Sequence, residues 1–518
     1  MLTRAIATGA LATLTNAHVE RPKITQLRMD PSSRTIVDQH NRQVILHGVN
    51  VVPKVAPYIP ITDKFDPQLS LNQKDMEDLA AWGMNFIRLG VMWEAVERTP
   101  GVYDMPYLDK IEQLINKLGE SGFFVLVDAH QDVGVRKLCG EGFPNWYAQK
   151  NLNHECNDTI SSMTWPLGLC YTAEDYGWRY DADGNPVLED CQKHPFFMYY
   201  TMPESVSLFD KLYENKEGMQ DAFVNYWAVV SKRFAHNPYV IGYDPLNEPF
   251  PSTYFGTPSL YFQTGGFDDA KLKPMYSKIF DKYMEADPSK IMFFEGVQVP
   301  DTVAINDGMV FPTGFQSRPN AMKTNQVFNE HTYCCQMGPE VCDSGEPHIE
   351  LKEKCRSFHD RRLKQRGDDA RRLETPLIIS EFGACFDSES CAMEIGLVAD
   401  ASDKEQAGWA YWQFKNYWDF TTTAGTGSEG FYNFDGTLQH KKVKALARTY
   451  LPFTQGLLDS VAFDTTTGNF AGSFTLDASI DAPSVLFFSE EFWYTNGYEY
   501  TVTDAAGHAL NESDFIQN

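Results

Sequence analysis

Eight short apolar runs recur between residues 43 and 414, and stretches with helical spacing lie between them. The runs are Val44–Val49, Asn85–Leu89, Phe123–Asp128, Tyr239–Leu246, Lys290–Glu295, Gln326–Phe328, Leu377–Ile379 and Trp409–Gln413. Runs of this length, rich in β-branched and aromatic residues, predict strands buried on both faces. Between them, Met76, Leu79 and Ala80 within 72–82 have helical spacing, as do Leu108, Ile111, Leu114, Ile115 and Leu118. A third helix is predicted over 222–234. Strands alternating with helices in this number predict an α/β fold, a (β/α)8 TIM barrel.

Two of the runs lead into short motifs that carry a glutamate. Leu246 is followed by Asn247-Glu248-Pro249, and Ser380 by Glu381-Phe382-Gly383. In a parallel barrel the C-terminal ends of the strands line the active site. Two carboxylates brought there from different strands are the minimal equipment for cleaving a glycosidic bond. Retention of anomeric configuration would place them about 5–5.5 Å apart.

After about residue 451 the pattern changes. Short runs at 460–463, 472–476, 484–488 and 498–502 are separated by turn residues. They predict a small C-terminal antiparallel β domain over 451–518, leaning on a catalytic barrel over 18–450. Two insertions, 131–218 and 333–347, leave the C-terminal ends of the third and sixth strands and are expected to overhang the barrel mouth. The turn Asp181–Asn185 has its glycine at the fourth place, where a calcium loop needs it at the sixth, so it is taken as solvated.

The chain carries a net charge of −26, with a pI near 4.8. Such a surface repels a phosphate backbone and excludes nucleic acid as a partner. The ten cysteines form no paired CxxC array and fall mostly in polar stretches. This pattern favours disulfides and an oxidising compartment over a zinc ribbon, and spacing alone leaves the pairing open. Residues 1–17 have the layout of a signal peptide, with a weak apolar part, and are taken as its remnant. The sequons at Asn157 and Asn511 fit a secreted glycoprotein. No apolar run is long enough for a transmembrane segment.

The residues around the two glutamates carry a resemblance. Phe86-Ile87-Arg88, Asp128-Ala129-His130-Gln131-Asp132, Leu246–Pro249, His331-Thr332-Tyr333, Ser380–Gly383 and Tyr411-Trp412 occur in barrel order. In this the chain resembles the retaining glycoside hydrolases of family 5, in the cellulase-type clan. Within them, Asn50–Lys54, the form of the 128–132 motif and the all-β tail resemble endoglycoceramidases, which cut between the oligosaccharide and the ceramide of glycosphingolipids. The resemblance implies such a substrate, met at a membrane or micelle surface. It also implies a monomer with no cofactor and no metal, in a secreted, lysosomal or digestive setting.

Roles follow from chemistry. Glu248 would be the general acid and then base, with a raised pKa, and Glu381 the ionised nucleophile. Arg88 and Tyr333 would hold Glu381, and Asn247 the sugar 2-hydroxyl. His130 and His331 would bind hydroxyls or orient the acid, and Trp412 would floor the sugar ring. The resemblance adds Lys54 and Asp128 as sugar contacts. Each also has a plain structural reading: a buried ion pair for the charged residues, satisfied core histidines, ordinary packing for Trp412. The aromatic runs 195–200 and 254–262 are candidates for an apolar lipid groove, or for core. The rivals are a β-glucanase with an open cleft, a glucosylceramide or sterylglucoside hydrolase closed after one ring, and a non-catalytic lipid- or carbohydrate-binding protein.

Overall fold

The structure is a computed structural model. It describes residues 5–6, 12–15, 24, 26–149, 151–156, 170–252, 265–297, 310–338, 340–343, 346–418, 421 and 427–510. Both sequons, the run 254–262 and most of residues 1–17 lie outside that set.

Eight parallel strands close a barrel: β1 (His47–Val51), β2 (Phe86–Gly90), β3 (Phe124–Asp128), β4 (Val240–Asp244), β5 (Ile291–Glu295), β6 (Gln326–His331), β7 (Leu377–Glu381) and β8 (Gly408–Tyr411). Each expected run therefore forms a barrel strand, displaced by a few residues at its ends. The first run splits. Gln43–Val44 leaves the barrel to pair with Tyr450–Thr454, and the barrel strand starts at His47.

The helices that wrap the barrel are α1 (Gln73–Ala81), α2 (Met105–Glu120), α3 (Met219–Arg233), α4 (Lys273–Ala286), α5 (Lys352–Leu373), α6 (Glu389–Lys404) and α7 (His440–Leu446). Their starts are written locally. Asn72 and Asp75 make a reciprocal capping box for α1, which satisfies two otherwise orphaned N–H groups. Asp104 accepts from Tyr107 N at the head of α2, and a proline follows within the first turn. The stripe Leu108, Ile111, Leu114, Ile115 and Leu118 is buried, as its spacing requires.

The barrel interior has two levels. The lower level is apolar: Phe86, Phe124, Leu126, Ile241, Phe293, Val327, Ile378 and Ala410. It is closed from beneath by Leu27, Ile36, Val44, Phe453 and Val485. These belong to a sheet in which segments 28–30, 35–37 and 43–44 join 450–454 and 484–487. The N-terminal hairpin and the C-terminal β unit are thus one floor beneath the barrel. Two strand pairs farther up each chain, the apolar side chains give way to polar ones. The register sets Asn50 beside Arg88, Asp128 beside Asp244, Glu295 beside Asn329 and His331 beside Glu381.

The C-terminal unit contains the antiparallel pair Gly456–Phe463 and Phe470–Leu476. The strand expected at 498–502 is a correction. Only Val502–Thr503 is extended in a sheet, because the rings of Tyr498 and Tyr500 turn instead onto Phe488, Tyr494 and each other. The described part of the insertion 131–218 carries regular structure. It holds paired strands Val133–Val135 and Glu141–Phe143 and a helix Pro203–Tyr213. It buries Phe143, Tyr147, Tyr199, Tyr200 and Phe209 in the same core as Trp93 and Phe223. All ten cysteines are paired: 139–191, 156–170, 334–355, 335–342 and 385–391. No helix among the described residues is long and apolar enough to cross a membrane.

Candidate active site

The upper level of the barrel interior is a buried cluster of carboxylates around one guanidinium. Arg88, in the middle of β2, is fully buried. Its Nη1 lies 2.5 Å from Glu381 Oε1 and donates to Asn50 Oδ1 at 3.1 Å. Its Nη2 lies 3.1 Å from Asp128 Oδ1, 2.9 Å from Asp244 Oδ2 and 3.4 Å from Glu295 Oε1, and it donates to Asn247 Oδ1 at 2.8 Å. Burial of a guanidinium is tolerable only with such pairing. The four carboxylates push its pKa well above the ordinary value, against the effect of burial.

Glu381 closes β7, and Gly383 follows it with φ +101°. A Cβ at Gly383 would meet the Tyr411 ring at 2.1 Å, so the chain turns past β8 only with glycine there. The second oxygen of Glu381 accepts from the Tyr333 hydroxyl at 3.1 Å. Glu381 is thus held at both oxygens, by a cation and by a phenol whose own pKa is pushed well up by burial and by Glu381.

Glu248 follows β4 in left-handed backbone, φ +41°, a conformation that an L side chain adopts only when held. His331 Nδ1 meets Glu248 Oε1 at 2.8 Å, and its Nε2 meets Ser380 Oγ at 3.0 Å and Glu295 Oε1 at 3.4 Å. Burial raises the Glu248 pKa and the nearby Glu381 charge adds to it, while the bond from His331 opposes both. Burial alone would depress His331, but Glu295 and Glu381 raise its pKa well above the usual imidazole value. One oxygen of Glu248, one nitrogen of His331 and one oxygen of Glu381 all lie within 4.8 Å of one another. A metal-ligating imidazole must be neutral, and the carboxylates around His331 favour its charged form. The other metal-type donor set among the described residues, Cys334, His359 and Glu394, has its sulfur tied into the Cys334–Cys355 disulfide.

His130 takes a place beside this pair. Its Nδ1 is 2.8 Å from Asp128 Oδ2, its Nε2 is 3.4 Å from Asp132 Oδ2, and its ring stacks on Trp412 at 4.8 Å. Burial works against the charged form, but Asp128 and Asp132 outweigh it and lift the pKa to about 9. Lys54 is buried with its Nζ 2.5 Å from Asp132 Oδ2 and 3.1 Å from Glu141 Oε1, over the Trp412 ring. Asp132 is held well below the usual carboxylate range by Lys54 and His130, despite its burial. Asp128 is fully buried between Arg88 and His130. Its Oδ2 lies 2.8 Å from His130 Nδ1, which fixes that ring.

All ten residues singled out from sequence therefore converge on one end of the barrel. Those missed are Asp132, Glu141, Asp244, Glu295, Asn329, Gln131 and Ser380. Glu295 carried the same signal as Glu381, an acid at the end of an apolar run, while Asp244 lies within the run 239–246. Gln131 carried none: its Nε2 donates to the carbonyls of Asn247 and Glu248 at 2.8 and 3.2 Å. Of the two aromatic runs, 195–200 divides. Tyr200 packs on Phe250 at 4.9 Å with its hydroxyl 3.4 Å from Gln131 Nε2, while Phe197 is 63% exposed.

The sequence matches the family described as Cellulase (glycosyl hydrolase family 5) over residues 37–166 and 199–417, and the Glycoside hydrolase family 5 C-terminal domain over 448–517. It is 28% identical to an endoglycoceramidase of Cyanea nozakii, over 92% of this chain and 87% of that protein. It is also 28% identical to endoglycoceramidase I of Rhodococcus hoagii, over 92% and 82%. Among solved structures it is similar to endo-glycoceramidase II from Rhodococcus sp. in its ganglioside GM3 complex, with a TM-score of 0.64 and 21% identity over 88% of this chain and 90% of that one.

Proposed function

Because the chain belongs to glycoside hydrolase family 5, we propose that it hydrolyses the β-glycosidic bond between the oligosaccharide and the ceramide of glycosphingolipids, as an endo-acting retaining glycosidase. The observation that carries the reaction is the oxygen gap of at most 4.8 Å between Glu248 and Glu381. Such a gap fits direct attack and leaves no room for the interposed water of an inverting enzyme. The substrate class is supported by relatives named endoglycoceramidase that align with almost the whole chain.

In the first step an oxygen of Glu381 attacks the anomeric carbon. The bond to the ceramide oxygen breaks, its electron pair stays on that oxygen, and Glu248 supplies the proton. In the second step Glu248 takes a proton from water, which attacks the same carbon and releases Glu381 with the oligosaccharide. Arg88 and Tyr333 stabilise the charge that returns to Glu381. Asn247, with its oxygen fixed by Arg88, is suited to hold the 2-hydroxyl. Lys54, His130 and Trp412 flank the sugar. The enzyme works as a secreted or digestive monomer at a membrane or micelle surface. The five disulfides and the exposed Phe197 on the β3 insertion support that setting.

The test is incubation with a ganglioside, glucosylceramide and cellulose oligomers, with free ceramide and intact oligosaccharide measured. Release of whole oligosaccharide from the ganglioside is expected. Turnover of cellulose oligomers alone, or of glucosylceramide alone, overturns the reading.

The pair also sets a sign. The Glu381 charge is one of the terms that raise the Glu248 pKa. Neutralising it, by Glu381→Gln or by forming the glycosyl ester, is expected to lower that pKa. A carbon-13 titration of labelled glutamate in wild type and variant reads the shift. An unchanged or upward shift means that the two carboxyls do not face each other.

A further inference from the structure

Glu295 closes β5, is fully buried, and takes no part in the bond changes above. Its two oxygens do different things. Oε1 is shared at long range by Arg88 Nη2 at 3.4 Å, Asn329 Nδ2 at 3.3 Å and His331 Nε2 at 3.4 Å. Oε2 accepts from the backbone N–H of Glu248 at 3.0 Å. We propose that Glu295 is a positioning residue for Glu248, fixing that residue's backbone through Oε2 and its side-chain carboxyl through Oε1 and His331.

Two observations argue against a merely structural carboxylate. Arg88 already has Asp128, Asp244 and Glu381 in contact, so a fourth acid is not needed to neutralise it. After burial, Glu295 is the largest cause of the raised pKa of Asp244, so an acid at this position is unfavourable for its neighbour. What the site gains is control of one peptide. Glu248 stands in left-handed backbone. Gln131 holds its carbonyl and that of Asn247 from one side, and Glu295 holds its amide from the other. A displacement of about 1 Å in a reacting group costs about 10²-fold in rate, and a residue clamped at amide, carbonyl and carboxyl cannot drift that far.

The inference rests on the reading of Glu248 as the acid, and the test separates the two. Glu295→Gln, Glu295→Asp and Glu248→Gln are assayed on lactosylceramide, whose alcohol leaving group needs a proton. They are also assayed on 2,4-dinitrophenyl β-lactoside, whose leaving group does not. For Glu295→Gln, kcat/KM on lactosylceramide is expected to fall about 10²-fold, with less than about a tenfold loss on the dinitrophenyl substrate. A fluorinated lactoside that traps the glycosyl-enzyme on Glu381 counts the folded sites by intact mass. Equal losses on both substrates, or none on either, overturn the inference. If Glu248→Gln itself shows no leaving-group dependence, the acid assignment falls and the proposed function with it. If Glu248→Gln shows it and Glu295→Gln does not, the inference falls alone. Should Glu295→Gln not fold, the same split is expected of Glu295→Asp, which keeps the charge but not the reach. An equal loss on both substrates there is equally fatal.

Discussion

Glu381→Gln is expected to bind glycosphingolipid and to release no measurable ceramide, with kcat lower on the order of 10⁶-fold, the scale seen when a covalent nucleophile is removed. The amide is isosteric, and its oxygen still accepts from Arg88 Nη1, so the fold has no reason to change. Arg88 keeps Asp128, Asp244 and Glu295, so no cation is stranded. What disappears is the charge that attacks carbon. Glu248→Gln removes a proton donor instead, and general acid catalysis contributes about 10²–10⁴-fold. The two variants must therefore differ in depth. The measurement is single-turnover release of ceramide from a ganglioside by each variant, with circular dichroism as the check on folding. A Glu381→Gln enzyme within 100-fold of wild type would mean that another group attacks, and a family-5 mechanism would not apply.

The places of the two glutamates are legible in the sequence, because the chemistry sits where strands end. An apolar run that stops in Asn-Glu-Pro or Ser-Glu-Phe announces both a strand and a rim position. The register then carries the side chain inward without further information. Legibility failed where the same rim is built by pairing. Glu295 ends its run in the same way, yet nothing in one sequence distinguishes an acid that reacts from one that positions. Gln131 and Ser380 act through contacts to residues more than a hundred and about fifty positions away. The helix α5 escaped for a different reason. Its stripe is only partly apolar: among Phe358, Leu363, Ala370 and Leu373 it buries Arg362 and Arg366, which are neutralised by Glu330 on β6 at 2.6 Å each. A periodicity search looks for hydrocarbon, whereas this helix docks through ion pairs. The inner packing of the insertion 131–218 is not legible in its glycines and prolines. Its aromatic residues and the Cys139–Cys191 link were what decided its packing.

Arg88→Met is expected to be the most destabilising single change in the barrel, and its penalty should depend on pH. Removing one partner of a buried ion pair costs about 3–5 kcal/mol, because the other charge is left uncompensated. Here one cation faces Asp128, Asp244, Glu295 and Glu381. Against a total stability of about 5–15 kcal/mol, the variant is expected to lose a large share of its folded population. The other basic groups facing the cluster are the His331 and His130 rings, both with raised pKa values, and neither lies where the guanidinium was. Without Arg88 the folded cluster takes up protons that the unfolded chain does not hold. Asp244, whose pKa is already pushed well up by burial and by Glu295, takes one first. An acid whose folded pKa exceeds its unfolded value makes the protein less stable as pH rises above the unfolded value. The stability deficit of Arg88→Met should therefore be larger at about pH 8 than at about pH 5. Urea unfolding of wild type and variant at the two pH values reads this as a difference in midpoint. A deficit that is small, or that grows toward acid, would mean that the four carboxylates do not depend on this one guanidinium, and the electrostatic account of the barrel mouth would fail at its centre.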